Sequence, residues 1–196
     1  MRSAWTIDAM PDSGIVAFNA GQFTAGFPWG WVIRDSIELQ PPRTGSVTMS
    51  FVVSDGGKAS LVTPSEIPRM RGRATLAFQS YPALLVDGKM PPELLQRGRG
   101  VDLDHRDSRL AVCTLRDGQT IVALTRFNAL GDAGATLPFG PTVPEMAVYM
   151  RSLGCRRAML LDGGISSQVA LRRGDGSLSR WTNWRAVPMG LVITPR

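Results

Sequence analysis

The sequence predicts a single α+β domain, residues 1–196, mostly strand, with a mixed sheet and one clear amphipathic helix at about 142–153. Three observations predict it. The chain has 196 residues, 43% of them hydrophobic, enough to bury one core and too few for two comfortable ones. Most of it consists of short runs rich in Val, Ile, Leu and Thr, cut by Gly and Pro. One stretch carries apolar residues at helical spacing.

In chain order, GIVAF, WGWVI, SVTMSFVVS, ALLVDG, RLAVCTL and QTIVALT read as strands bounded by turn residues. The Pro-rich pieces at 41–42, 64–68 and 91–92 read as loops within the domain. In TVPEMAVYMRSL, Val143, Met146, Ala147, Met150 and Leu153 recur at helical spacing, and Met146, Met150 and Leu153 are expected to pack on the sheet. Thr142 and Glu145 form a capping box, and Gly154 stops the helix. AMLL follows, too short for a helix, and reads as a buried strand.

Twenty-two Lys and Arg against 16 Asp and Glu give a net charge of +6. That balance favours anionic partners such as phosphate or a wall polymer. Nearly all the cations are arginine, whose planar fork suits phosphate and carboxylate. The arginines are scattered and RGRG at 97–100 is too short for a nucleic-acid module, so no nucleic-acid partner is expected. No run is long enough for a membrane span, and the start lacks the apolar region of a signal peptide. A soluble chain is expected, extracytoplasmic if a leader has been removed, with oligomeric state open. Cys113 and Cys155 have no paired spacing, so zinc and redox motifs are unsupported. Buried free thiols are expected, with a disulfide between them as the alternative. Asp102, Asp104 and Asp107 lack the ligand alternation of a calcium loop. No metal and no organic cofactor are implied.

The most informative segment is AMLLDGGISSQVAL, residues 158–171. A buried strand delivers Asp162, two glycines follow, and two hydroxyls precede the next strand. Amides in such a turn, with the Ser166 and Ser167 hydroxyls, suit a phosphate or a sugar acetamide. Asp162 then serves as base, nucleophile or acceptor for a sugar hydroxyl. An ordinary Asp-Gly hairpin explains the same spacing without chemistry.

LLDGGISS closely resembles the LDGGGSS signature of the phosphodiester glycosidase family, enzymes of the uncovering type that release N-acetylglucosamine from a phosphodiester. Ile165 stands where that signature has its third glycine. Other segments match in order: FNAGQF at 18–23, PALLVDG at 82–88, DSRLAV at 107–112, TRF at 125–127 as a worn DGR, GPTVPEMAVYMRSLGC, and RAVPMGLVI at 185–193. The resemblance runs from about residue 15 onward. It implies a hydrolase cleaving a sugar-phosphodiester bond, acting on an N-acetylated amino sugar, with a carbohydrate or sugar phosphate as substrate.

With the resemblance, Asp162, Arg109 and Asn19 are expected to be catalytic and Gly163, Gly164, Ser166, Ser167 and Arg126 to bind substrate; Glu145, as a second carboxylate beside Asp162, and His105, from its own chemistry, are expected there as well. Arg109 would clamp a phosphate through paired N–H bonds. Asn19 would orient a sugar hydroxyl or acetamide, although Asn before small residues also forms turns. The capping box accounts for Glu145 without chemistry. His105, the only histidine, could move a proton near neutral pH. Trp181 and Trp184 could stack on a sugar ring or pack a domain edge. Two alternatives remain at this stage: a glycan hydrolase acting on amino-sugar cell-wall polymers, and a non-catalytic sugar- or phosphate-binding module.

Overall fold

The computed structural model of the chain describes residues 4–45, 47–98, 101–126, 139–183 and 185–195. Its strands in order are β1 (Val16–Asn19), β2 (Phe23–Thr24), β3 (Phe27–Pro28), β4 (Val32–Arg34), β5 (Ile37–Gln40), β6 (Met49–Ser54) and β7 (Ala59–Val62). Helix α1 (Ile67–Met70) precedes β8 (Ala74–Ser80), β9 (Ala83–Leu85), β10 (Arg109–Thr114) and β11 (Thr120–Thr125). Helix α2 (Val143–Ser152) leads into β12 (Arg157–Leu160), β13 (Val169–Arg172), β14 (Leu178–Trp181) and β15 (Gly190–Ile193).

The strands build three larger sheets, ordered β14-β13-β1-β15, β11-β10-β12-β9 and β5-β4-β8-β6-β7, plus the β2-β3 hairpin. Every pairing among the described strands is antiparallel. This corrects the expected mixed sheet. With two short α-helices among the described residues, the fold is mostly β and only loosely α+β.

The sheet around β10 and β12 is buried on both faces, and side-chain alternation decides which residue goes where. Ala111, Cys113, Ala158 and Leu160 face α2, meeting Met146, Ala147 and Met150. Leu110, Val112, Met159 and Leu161 face the other way and pack with Phe18, Met49, Phe51 and Phe78. Continuous apolar runs such as RLAVC and AMLL are what a strand covered on both faces requires.

Helix α2 is capped by Thr142, which accepts from the Glu145 amide, with Pro144 in its first turn. It buries Val143, Met146, Ala147 and Met150. Leu153 is exposed, contrary to its expected packing, as are Val148 and Tyr149. The outer face is therefore partly apolar, and the amphipathic pattern is weaker than expected. The 64–68 stretch also departs from the loop reading. It holds a single 3-10 turn and α1, opened by a Thr63–Glu66 capping box and buried at Ile67 against Trp31, Ile33 and Val52.

Cys113 and Cys155 form a disulfide, their Cα atoms 5.8 Å apart. This overturns the expected free thiols. Cys113 lies in β10 and Cys155 two residues before β12, and antiparallel pairing of these strands brings together cysteines that are far apart in sequence.

Candidate active site

Strand register assembles the site. β10 and β12 pair antiparallel with Ala111 opposite Leu160, and the Leu161 amide donates to the Leu110 carbonyl at 2.8 Å. Carried two residues further, this register sets Arg109 opposite Asp162 at one end of the sheet. Both line a cleft of about 280 Å3, together with Gln22, Tyr81, Asp102, His105, Asp107, Gly163 and Gly164.

The glycines are required by close approach. A Cβ on Gly163 would lie 2.9 Å from the Ser108 carbonyl oxygen. Gly164 has φ +57, and a Cβ there would lie 2.5 Å from Asp107 Oδ2, so only glycine fits without strain. The Gly164 amide donates to the Ser108 carbonyl at 2.8 Å. It therefore pins the turn to the start of β10 instead of pointing at a ligand, as the sequence suggested. Gly164 also accepts at its carbonyl from Asn183 Nδ2 at 2.7 Å.

Asn19 is fully buried at the end of β1. Its Nδ2 donates to the Asp162 carbonyl at 2.8 Å and its Oδ1 accepts from the Gln168 amide at 2.8 Å. Both ends of the amide are engaged by the chain, so Asn19 holds the turn. Buried Gln168 continues this framework, donating to the Arg185 carbonyl at 2.8 Å and accepting from the Ile7 amide at 3.2 Å.

Burial raises the pKa of Asp162 above its usual range, opposed by a hydrogen bond from Ser166 and by the charge of Arg185. Its Oδ2 is buried with no hydrogen-bond partner. An unpaired buried carboxylate oxygen costs stability. Across the cleft, burial lowers the pKa of Arg109, opposed by the charges of Asp107 and Asp102. Arg109 stays cationic. Its Nε donates to the Pro141 carbonyl at 3.1 Å, and Nη2 donates to the His105 carbonyl. His105 Nε2 lies 3.4 Å from Asp107 Oδ2.

The remaining expected residues divide. Ser166 and Ser167 are buried in the turn, and Ser167 Oγ has no partner. Arg126 does not line the cleft; its Nη1 lies 3.4 Å from the Thr182 carbonyl oxygen, which accepts from it. Glu145 is outside the cleft as well, held by Arg106 at 2.7 and 2.8 Å and by the Thr142 amide at 2.9 Å. Those contacts keep its carboxyl below the usual range, the Arg106 hydrogen bond most of all. Trp181 lies in β14, away from the cleft lining, and Trp184 is outside the described residues. Sequence reasoning missed Gln22, Tyr81, Asp107, Gln168, Asn183 and Arg185. The FNAGQF segment carried Gln22, and DSRLAV carried Asp107, but only the fold shows their neighbours. Among the described residues, no group of three or more His, Cys, Asp or Glu is arranged to hold a metal ion. Nor is any helix long and apolar enough to cross a membrane.

Residues 12–194 match the model of the phosphodiester glycosidase family. Among solved structures, the catalytic domain of zebrafish N-acetylglucosamine-1-phosphodiester alpha-N-acetylglucosaminidase, auto-inhibited by its pro-peptide, is similar with a TM-score of 0.69 and 18% identity. That match covers 100% of this chain and 68% of the zebrafish chain. A hypothetical protein from Synechocystis is similar with a TM-score of 0.57 and 15% identity, over 87% of this chain and 50% of that one. At these identities the likeness shows the fold. No curated protein matches in sequence. The family model spans nearly the whole chain, so the chain belongs to the phosphodiester glycosidase family, and a carbohydrate substrate is what that family suggests.

Proposed function

We propose, from membership of the phosphodiester glycosidase family, that the chain hydrolyses the bond between the anomeric carbon of an N-acetylated amino sugar and a phosphodiester oxygen. The observation that carries this reading is the buried Asp162 carboxyl, with Oδ2 unpartnered, in one cleft with Arg109.

Asp162 takes a proton from water, and a raised pKa makes it a better base for that purpose. The water oxygen bonds to the anomeric carbon while the carbon–oxygen bond to phosphate breaks. The bonding electron pair leaves with the phosphate, a weakly basic group that needs little protonation. Arg109 stabilises the charge developing there from a fixed position. Asn19 and Asn183 hold the carbonyls of Asp162 and Gly164, keeping the base in place. His105 and Asp107, at the rim, meet sugar hydroxyls.

The test compares kcat/KM on an N-acetylglucosamine phosphodiester and on an uncharged aryl N-acetylglucosaminide, for the unaltered enzyme and for Arg109→Lys. Lys keeps the charge and loses the paired donors. The phosphodiester should therefore lose about tenfold or more while the aryl glycoside changes little. An unaltered chain that binds an amino sugar but hydrolyses neither substrate would establish a binding module instead.

A further inference from the structure

Several arginines are neutralised by carboxylates: Arg71 by Glu38, Arg106 by Glu145, and Arg156 and Arg157 by Asp87, with Glu66 also on Arg157. Arg43 makes no ion pair among the described residues, yet its position is fixed. Buried Gln79 clamps its backbone, Oε1 accepting from the Arg43 amide and Nε2 donating to the Arg43 carbonyl, both at 2.8 Å. The Arg43 guanidinium lies 5.8 Å from the centre of the Trp29 ring.

Trp29 is itself anchored. Its amide donates to the Gln22 carbonyl at 2.8 Å, closing the β2-β3 hairpin. Its ring meets Tyr81 edge-on, 4.9 Å between centres. Tyr81 and Gln22 line the catalytic cleft, so Tyr81, Trp29 and Arg43 form a continuous shelf leading out of it. A guanidinium held over a ring by a cation–π contact keeps its N–H groups available to an anion. The rings beside it, inclined at 65° to each other, offer apolar contact to a sugar.

We propose that this shelf is a second subsite, which takes a phosphate carried on the leaving group one sugar ring beyond the scissile bond. The leaving group's ring lies against Tyr81 and Trp29, and Arg43 pairs with its outer phosphate. The preferred substrate class is then a glycan with recurring phosphates. This rests on the hydrolytic reading above for which side of the cleft the leaving group occupies.

The experiment is isothermal titration calorimetry of the whole chain with hexose 1-phosphate and hexose 1,6-bisphosphate. It is run in about 0.15 M salt, where charges beyond roughly 8 Å are screened. The bisphosphate should bind about tenfold more tightly, the lower range for a charge-assisted hydrogen bond. Arg43→Gln should bring the ratio close to one and leave hexose 1-phosphate affinity unchanged, Trp29→Ala should weaken both ligands and lower the ratio, and Arg109→Lys should weaken both alike. Arg43→Gln alters an exposed side chain, so a change in ratio there is free of any folding defect in Trp29→Ala. A ratio near one in the unaltered chain, or one that survives Arg43→Gln, overturns the subsite. An Arg43-dependent ratio in a chain that turns over no phosphodiester upholds the subsite and refutes only the hydrolytic reading.

Discussion

The layer made by β10, β12 and α2 opens at each end onto a cleft, and the two ends are built for opposite tasks. At one end lie Arg109, Val143 and Asp162, around about 280 Å3. At the other lie Leu115, Arg116, Arg151, Cys155 and Arg156, around about 910 Å3. The larger cleft has the quieter chemistry. There a disulfide ties β10 to the approach of β12, and Asp87 pairs with Arg156 and Arg157. On the same flank, burial raises Glu66, but the Arg157 hydrogen bond, the Thr63 contacts and the Arg157 charge outweigh it and hold its pKa at about 2. At the smaller cleft Asp162 keeps an unpartnered oxygen and a raised pKa. One end satisfies its polar groups and braces the layer. The other leaves one oxygen of a buried carboxyl without a partner.

Removing the brace should show the largest effect on stability. Cys113→Ser with Cys155→Ser opens a link across 42 residues, worth about 3–4 kcal/mol in chain entropy. A denaturant titration should show that loss, with kcat/KM at about 25 °C changed less than twofold. Activity that falls while stability holds would tie the disulfide to the catalytic end.

Glycines at the two ends sharpen the contrast. Gly164→Ala puts a Cβ within 2.5 Å of Asp107 Oδ2 at φ +57, and the displaced turn should lose about 100-fold in kcat/KM. Gly154, at the disulfide end, has φ +83 with nothing nearer than Leu115 Cδ2 at 4.0 Å. Gly154→Ala should cost about 1–2 kcal/mol from the left-handed backbone and leave kcat/KM unchanged. Equal activity losses in the two variants would erase the distinction between the ends.

The sequence made the Asp162 turn legible because its signals are local. Asp162 ends a run of buried apolar residues, and the paired glycines mark a backbone that tolerates no side chain. Arg109 was legible through resemblance to the family, while the reason it meets Asp162 is strand register, which local pattern does not encode. Asn19 was legible as a site residue through the family resemblance, while nothing local shows that its amide also holds Asp162 and Gln168. Gln22, Tyr81 and Asp107 come from three separate segments and share a cleft only after folding. The disulfide was missed for the same reason. Helix α1 is a different kind of miss: the Thr63–Glu66 capping box was present in the sequence, and its flanking prolines suggested a loop although Pro suits a helix's first turn.

The central claim is that Asp162 is kept at a cost to the fold for the sake of chemistry, and Asp162→Asn tests it most directly when activity and stability are measured together. The folded carboxyl has a pKa above the unfolded value of 3.8, so the folded state holds the proton more tightly, and ionisation destabilises it as pH rises. The amide avoids that cost. At about pH 7 the variant should be more stable than the unaltered chain, with the gain fading as pH falls through the folded pKa and absent below about 3.8, where both states are protonated. Its kcat/KM on an N-acetylglucosamine phosphodiester should fall by roughly 100- to 10,000-fold, the range for loss of a positioned base. A variant that gains no stability near neutral pH, or that keeps full activity, would contradict the account.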